Sequence, residues 1–281
     1  MQSLCIKTNS INIINYLIEE FSKLNLDNLI ISSKSFKVYD NVIIHYLSSN
    51  NNIFFDCVSI ILSNTIIKFY EPVSIKKELN KNFLYFSNKE KKRILELYLN
   101  ENKKKSHLSN EKYNLLYFSI FNYITKNHSI ILNGFYNFRL YNYHQKLSEI
   151  LDISVNNYLI EREYFEFINI LKLYINSNYP LTPQINLIFL KKQIKVLDCN
   201  NNILNIKQEN SFNAKFLSDI SFSENDYILN YLLNALPRKI IIHISKNIDY
   251  EDDFLNTLKL IFENKIEICT DCTICSSFFF T

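Results

Sequence analysis

NGFYNFRLYNYHQKLSEILDISVNNYLIEREYFEFINILKLYINS, residues 133–177, is the stretch whose reading decides the fold. It holds the only glycine of the chain, Gly134, and no proline. Leu147, Leu151, Val155, Tyr158, Leu159, Phe165, Ile168, Leu171 and Ile175 recur at steps of three and four, and Ile150, Ile160, Tyr164, Phe167 and Leu173 widen the stripe. This spacing predicts one long helix over about 135–176, apolar over so much of its surface that other elements must pack along it. An α+β fold, predominantly helical and organised on this helix, follows.

Upstream, Leu4–Lys7 reads as a short strand, and Thr8, Asn9 and Ser10 are good caps for a helix carrying Ile14, Leu17, Ile18, Phe21 and Leu24 on one face. Asn25–Asn28 breaks that pattern. Strands are predicted over 29–32, 36–39 and 42–47, so residues 1–50 form a small N-terminal α/β unit. Residues 51–179 then form a helical domain. Phe54, Val58, Ile61 and Leu62 are in phase, Ser87 with Glu90 is a capping box, and Ser109 caps a helix with Leu116, Tyr117, Ile120, Phe121 and Ile124.

Downstream, Pro180 and Pro183 mark a linker, and beyond it the apolar period changes to two. Residues 185–190, 194–197 and 203–206 predict a β-meander turning at Lys191–Lys192 and Cys199–Asn202. Ser223 and Asp226 cap a helix that Pro237 ends. A strand over 239–245, a helix over 250–263 and a strand over 265–269 then make a βαβ unit. Residues 183–281 are thus a C-terminal α/β domain ending in the run Cys269-Thr-Asp-Cys272-Thr-Ile-Cys275.

Composition narrows the chemistry. One glycine in 281 residues leaves no Gly-rich phosphate loop and no G-x-S-x-G elbow, which disfavours the common nucleotide enzymes and hydrolases. The N-terminal residues lack the apolar core of a signal peptide, and 53–70, the best membrane-span candidate, carries Asp56, Asn64 and Lys68. The expectation is a cytoplasmic chain without a transmembrane segment, whose six cysteines are thiols or metal ligands before they are disulfides.

Three soft ligands at two consecutive C-x-x-C steps can reach one ion, so Cys269, Cys272 and Cys275 are the candidate metal ligands, for zinc or an iron–sulfur cluster. If the last two predicted strands are parallel neighbours, His243 lies at the same sheet edge as Cys269 and is a candidate fourth ligand; Cys199, in the meander turn, is the other. Redox chemistry of the same three thiols is the alternative. Between Lys76 and Lys105, ten basic residues face four glutamates. Lys89, Lys91, Lys92, Arg93, Lys103, Lys104 and Lys105 form a candidate surface for nucleic acid or an anionic membrane, with a solvated helix face as the simpler reading. Glu163 and Glu166 share a helix face but lack the histidine of a di-iron helix, so a salt-bridged face engaging Arg139 or Arg162 is expected.

Gly134-Phe-Tyr-Asn-Phe-Arg-Leu140, Tyr158-Leu-Ile-Glu-Arg-Glu-Tyr164 with Glu166-Phe-Ile168, Ile242-His243 and the cysteine run together resemble the YtxC-like family, assigned to sporulation in endospore-forming bacteria, over roughly residues 50 to 275. The family's cysteine run usually has a glycine where this chain has Asp271, which changes the turn without removing a ligand. The resemblance implies a role in sporulation, with a protein partner, and implies no reaction. The function expected is therefore a non-enzymatic binding or scaffold protein with a structural metal in its cysteine knuckle.

Overall fold

The computed structural model describes residues 2–24, 29–47, 51–103, 107–190, 193–206, 223–245 and 253–279, and has an α+β, mainly helical fold. The expected break at 25–28, the turn at Lys191–Lys192, the helix start at 250–252 and the candidate residues Lys104 and Lys105 lie outside the described residues. By internal packing the chain divides into two units, Met1–Glu161 and Arg162–Thr281.

In the first unit, β1 (Gln2–Thr8), β2 (Leu29–Ser35), β3 (Asp40–Tyr46) and β4 (Ser129–Ile131) form one sheet in the order β2-β3-β1-β4. β1 and β2 both run antiparallel to β3, and β4 joins β1 in parallel. The strand expected over 36–39 is instead a hairpin loop: β2 extends to Ser35, Ser35 pairs with Asp40, and Phe36 N–H donates to Tyr39 O at 3.1 Å. Helix α1 (Ile11–Ser22), with Ser10 at its N-cap, buries Ile13, Ile14, Leu17 and Phe21. Period-three-and-four spacing selects that face.

The remaining helices of this unit are α2 (Asn51–Phe69), α3 (Glu71–Asn82), α4 (Asn88–Lys103), α5 (His107–Ile124) and α6 (Leu132–Arg139), followed by α7 (Tyr141–Ser177), which continues into the second unit. The stretch Asn52–Asn82 is long and apolar enough, by length and composition, to cross a membrane. Its buried side, Phe54, Val58, Ile61, Leu62 and Ile66, belongs to the same core as β1, β3 and α1. Ser59, Ser63 and Thr65 are buried there because each hydroxyl donates at 2.7 Å to the carbonyl four residues back. The capping box that starts α4 is formed, with Ser87 N–H on Glu90 Oε2 at 2.7 Å and Glu90 N–H on Ser87 Oγ at 3.4 Å.

The single helix expected over 135–176 is two. The chain leaves helical geometry at Leu140 (φ −107°, ψ 40°), whose side chain is buried, and His144 Nε2 meets the Tyr136 carbonyl at 2.9 Å near this break. The first part of α7 buries Leu147, Ile150, Leu151 and Val155, whereas Ile160, Phe167, Ile170 and Leu173 stay at least half exposed. The stripe is therefore narrower than the count of apolar residues suggests.

One polar group organises the interior of this unit. The Glu71 carboxylate, at the start of α3, accepts from Lys112 Nζ (2.8 and 3.1 Å), Tyr98 Oη (2.8 Å), Asn102 Nδ2 (3.3 Å) and Tyr143 Oη (2.5 Å). Lys112 also donates to Asn102 Oδ1 at 2.9 Å. Both charged side chains are 5% exposed, and α4, α5 and α7 each supply a partner. Burial first, and then the neighbouring carboxylate, push the Tyr98 and Tyr143 hydroxyls well above their ordinary range, so both stay protonated donors.

The second unit holds a five-stranded sheet in the order β7-β6-β5-β8-β9, built from β5 (Thr182–Phe189), β6 (Ile194–Leu197), β7 (Ile203–Leu204), β8 (Pro237–His243) and β9 (Ile266–Cys269). The meander β5–β6–β7 is antiparallel, and β5–β8 and β8–β9 are parallel. Pro183 lies in β5 at its second residue, where a missing N–H costs least. Helix α8 (Glu224–Ala235) starts on a capping box of Ser223 and Asp226 and ends at Leu236 in left-handed geometry, and α9 (Asp253–Phe262) connects β8 to β9. Ile185, Leu187, Ile240 and Ile242 share one sheet face and pack with Leu232, Leu255, Leu258 and Ile261, and α7 adds Ile168 and Ile175 to this core.

Gly134 sits inside α6 with no positive φ, and a Cβ there would meet only Ile131, at 3.9 Å. Gly134→Ala is therefore expected to stabilise the protein by about 0.5–1 kcal/mol in a denaturant titration, because the backbone entropy lost on folding shrinks without a clash. Lys112→Met leaves the Glu71 carboxylate buried without its cation. Chemical denaturation is expected to show a loss of about 3–5 kcal/mol.

Candidate metal centre

Alternation along the strands puts Asn186 and Ile188 of β5, Ile241 and His243 of β8, and Glu267 and Cys269 of β9 on the sheet face opposite Ile240 and Ile242. Parallel register then pairs His243 with Cys269 directly, and Ile244 N–H extends the ladder to Cys269 O at 3.1 Å. After Cys269 the chain turns through Thr270 and Asp271 into the short helix α10 (Thr273–Phe279). Cys272 stands at the N-cap of α10, where its sulfur accepts from Cys275 N–H at 3.4 Å as a capping serine would. Ser276 N–H closes the first turn on Cys272 O at 2.9 Å.

These local constraints bring four donor atoms together. His243 Nδ1 lies 3.4 Å from Cys275 Sγ and 3.4 Å from Cys272 Sγ. Cys272 Sγ is 3.6 Å from Cys275 Sγ, which is 3.9 Å from Cys269 Sγ. All four ligand atoms lie within 4.8 Å of one another. A tetrahedral ion with metal–sulfur bonds of about 2.3 Å has sulfur–sulfur edges of about 3.8 Å, and the sulfur–sulfur separations of 3.6 and 3.9 Å are close to that length. An iron–sulfur cluster distributes its ligands over several irons, and four-cysteine ligation is its rule. The three-sulfur, one-nitrogen set converging on one point suits a lone zinc ion better.

The site is sheltered: His243 is 2% and Cys275 1% exposed, while Cys269 and Cys272 are half-buried. Burial holds the His243 imidazole below its ordinary value, which keeps it neutral and able to ligate. Burial pushes the Cys275 thiol up to about 12. At Cys272 burial acts upward too, but the Cys275 N–H and neighbouring thiols outweigh it, and the net direction is down.

Cys199, the other candidate fourth ligand, is exposed and is not among the four converging residues. The meander turn reaches the site by a different route. Asp198 Oδ1 accepts from Asn200 and Asn202 N–H, both at 2.8 Å, and these bonds hold its carboxyl below the usual range. The turn so fixed presents the Asp198 carbonyl and Asn201 Oδ1 to Asn186 Nδ2 at 3.3 and 3.4 Å. Asn186 is buried, and its Oδ1 faces His243 Nε2 at 3.4 Å. Nothing in the sequence singled out Asn186; the only available signal was a polar residue inside an apolar strand.

The other candidates are dispersed. On α4, Lys89, Lys92 and Arg93 share one side and Lys91 the other. Arg93 is engaged by Glu161 (2.7 and 3.0 Å) and Glu96 (3.3 Å). Lys103 ends α4. Arg162 Nε pairs with Glu166 at 3.5 Å, Glu163 is exposed, and the Arg139 guanidinium lies over the Tyr123 ring.

Comparison with known proteins gives one match: the model of the YtxC-like family fits residues 56–267. That span covers Gly134–Leu140, Tyr158–Tyr164 and His243 and stops two residues before Cys269. No curated protein and no solved structure matches the chain.

Proposed function

The chain belongs to the YtxC-like family, and on that premise we propose that it is a cytoplasmic, non-enzymatic binding or scaffold protein of sporulation whose C-terminal unit is closed by one structural zinc ion. The observation that carries the metal assignment is the convergence of His243 Nδ1 and the sulfurs of Cys269, Cys272 and Cys275 within 4.8 Å. When bound, the ion would act as a crosslink: it would tie the end of β8 to the end of β9 and to the first turn of α10. With three sulfurs and one nitrogen as ligands the tetrahedron is filled, which favours a structural over a catalytic role.

Asn186 orients the nitrogen ligand. With Nδ1 directed at the ion, the ring proton sits on Nε2 and donates to Asn186 Oδ1, whose amide is in turn held by Gln184 Nε2 at 3.0 Å and by the meander turn.

A redox role for the same thiols has one observation in its favour, the 3.6 Å separation of Cys272 and Cys275. Protein purified reduced and without chelator is expected to carry one zinc per chain by elemental analysis. Cys272→Ser is expected to lose that zinc and to lower the melting temperature, while keeping a cap on α10. Metal-free, fully folded protein whose Cys272 and Cys275 oxidise reversibly would replace the structural reading with the redox one. Asn186→Ala is expected to keep the stoichiometry but weaken zinc about 10–100-fold in competition with a chromophoric chelator.

A further inference from the structure

The first unit contains a cavity of about 550 Å³ between α3, α4 and α5, lined by no residue of the cysteine centre. Its volume is that of a small-molecule site. Ile67, Pro72, Ile75, Leu95 and Leu99 give it apolar walls, and one wall is polar, made by Glu71, Tyr98, Asn102 and Lys112. The space is a cleft open to solvent on one side, where Pro72, Lys76 and Leu99 are exposed, and it reaches inward to the buried Ile75, Tyr98 and Lys112. A buried ion pair is itself poor evidence of stabilisation, since desolvation offsets most of its attraction.

The charges decide what the cavity would take. Both Glu71 oxygens are occupied by Lys112, Tyr98, Asn102 and Tyr143, which leaves no anionic group to receive a cation. Lys112 is spent on Glu71 and Asn102. Among the described residues, the remaining charge on the lining is that of Lys76, whose side chain is exposed and has no acidic partner there. One ammonium suits a monoanion; a phosphate would call for an arginine fork or several cations. We propose that this cavity binds an amphipathic monocarboxylate, its hydrocarbon body against Ile75, Leu95 and Leu99 and its carboxylate on Lys76. The site is independent of the zinc reading and survives its failure.

Decanoate and decanol, each titrated calorimetrically into the full chain, test this. Saturable binding of one decanoate per chain is expected, at least tenfold tighter than decanol. Lys76→Glu, at an exposed position that leaves the fold unchanged by circular dichroism, is expected to weaken decanoate at least tenfold and leave decanol unaffected. Leu99→Trp, half-exposed at the wall, is expected to weaken both by narrowing the space. Equal affinity for acid and alcohol, indifference to Lys76→Glu, or uptake without saturation would each overturn the assignment.

Discussion

The parallel pairing of β8 with β9 is the constraint on which the second unit depends. It sets Ile240 and Ile242 against the helices on one face and, by strict alternation, His243 and Cys269 side by side on the other. A slip of one residue would exchange those faces, taking His243 out of the site and an isoleucine out of the core at once. The apolar burial that fixes the register therefore also fixes two of the four candidate ligands. The other two follow from a local motif, a helix start capped by a cysteine.

The first unit solves a different problem. Its helices carry many aromatic and isoleucine side chains of similar shape, which specify contact but not alignment. The Glu71 carboxylate adds direction, because its partners come from α4, α5 and α7 and each must meet it at hydrogen-bond distance. An apolar residue there could be as stable, but it would tolerate sliding of the helices that a four-partner carboxylate does not.

What the sequence disclosed follows the range of the interactions involved. The His243–Cys269 alignment was legible because two short apolar strands and an intervening helix leave one right-handed way to pair, and the cysteine spacing names its own chemistry. The capping boxes at Ser87 and Ser223 were legible because they are local. Leu140 was not, since a leucine carries no signal for a helix break and the packing of the side chain decides it. The Glu71–Lys112 pair joins residues far apart in the chain, and each looks alone like an ordinary charge on an amphipathic helix. Asn186 escaped for the same reason: its role exists only once the meander turn and β8 flank β5.

The position of β9 has a further consequence. It is a four-residue strand at the edge of its sheet, with Ile268 half exposed, and the cysteine turn directs the chain away immediately after it. Its outer side carries no further strand among the described residues, the kind of surface on which a second chain adds as a strand. On the zinc reading proposed above, an unloaded centre would loosen the turn that ends this edge strand, and self-association through β9, read as lost solubility, would be the consequence.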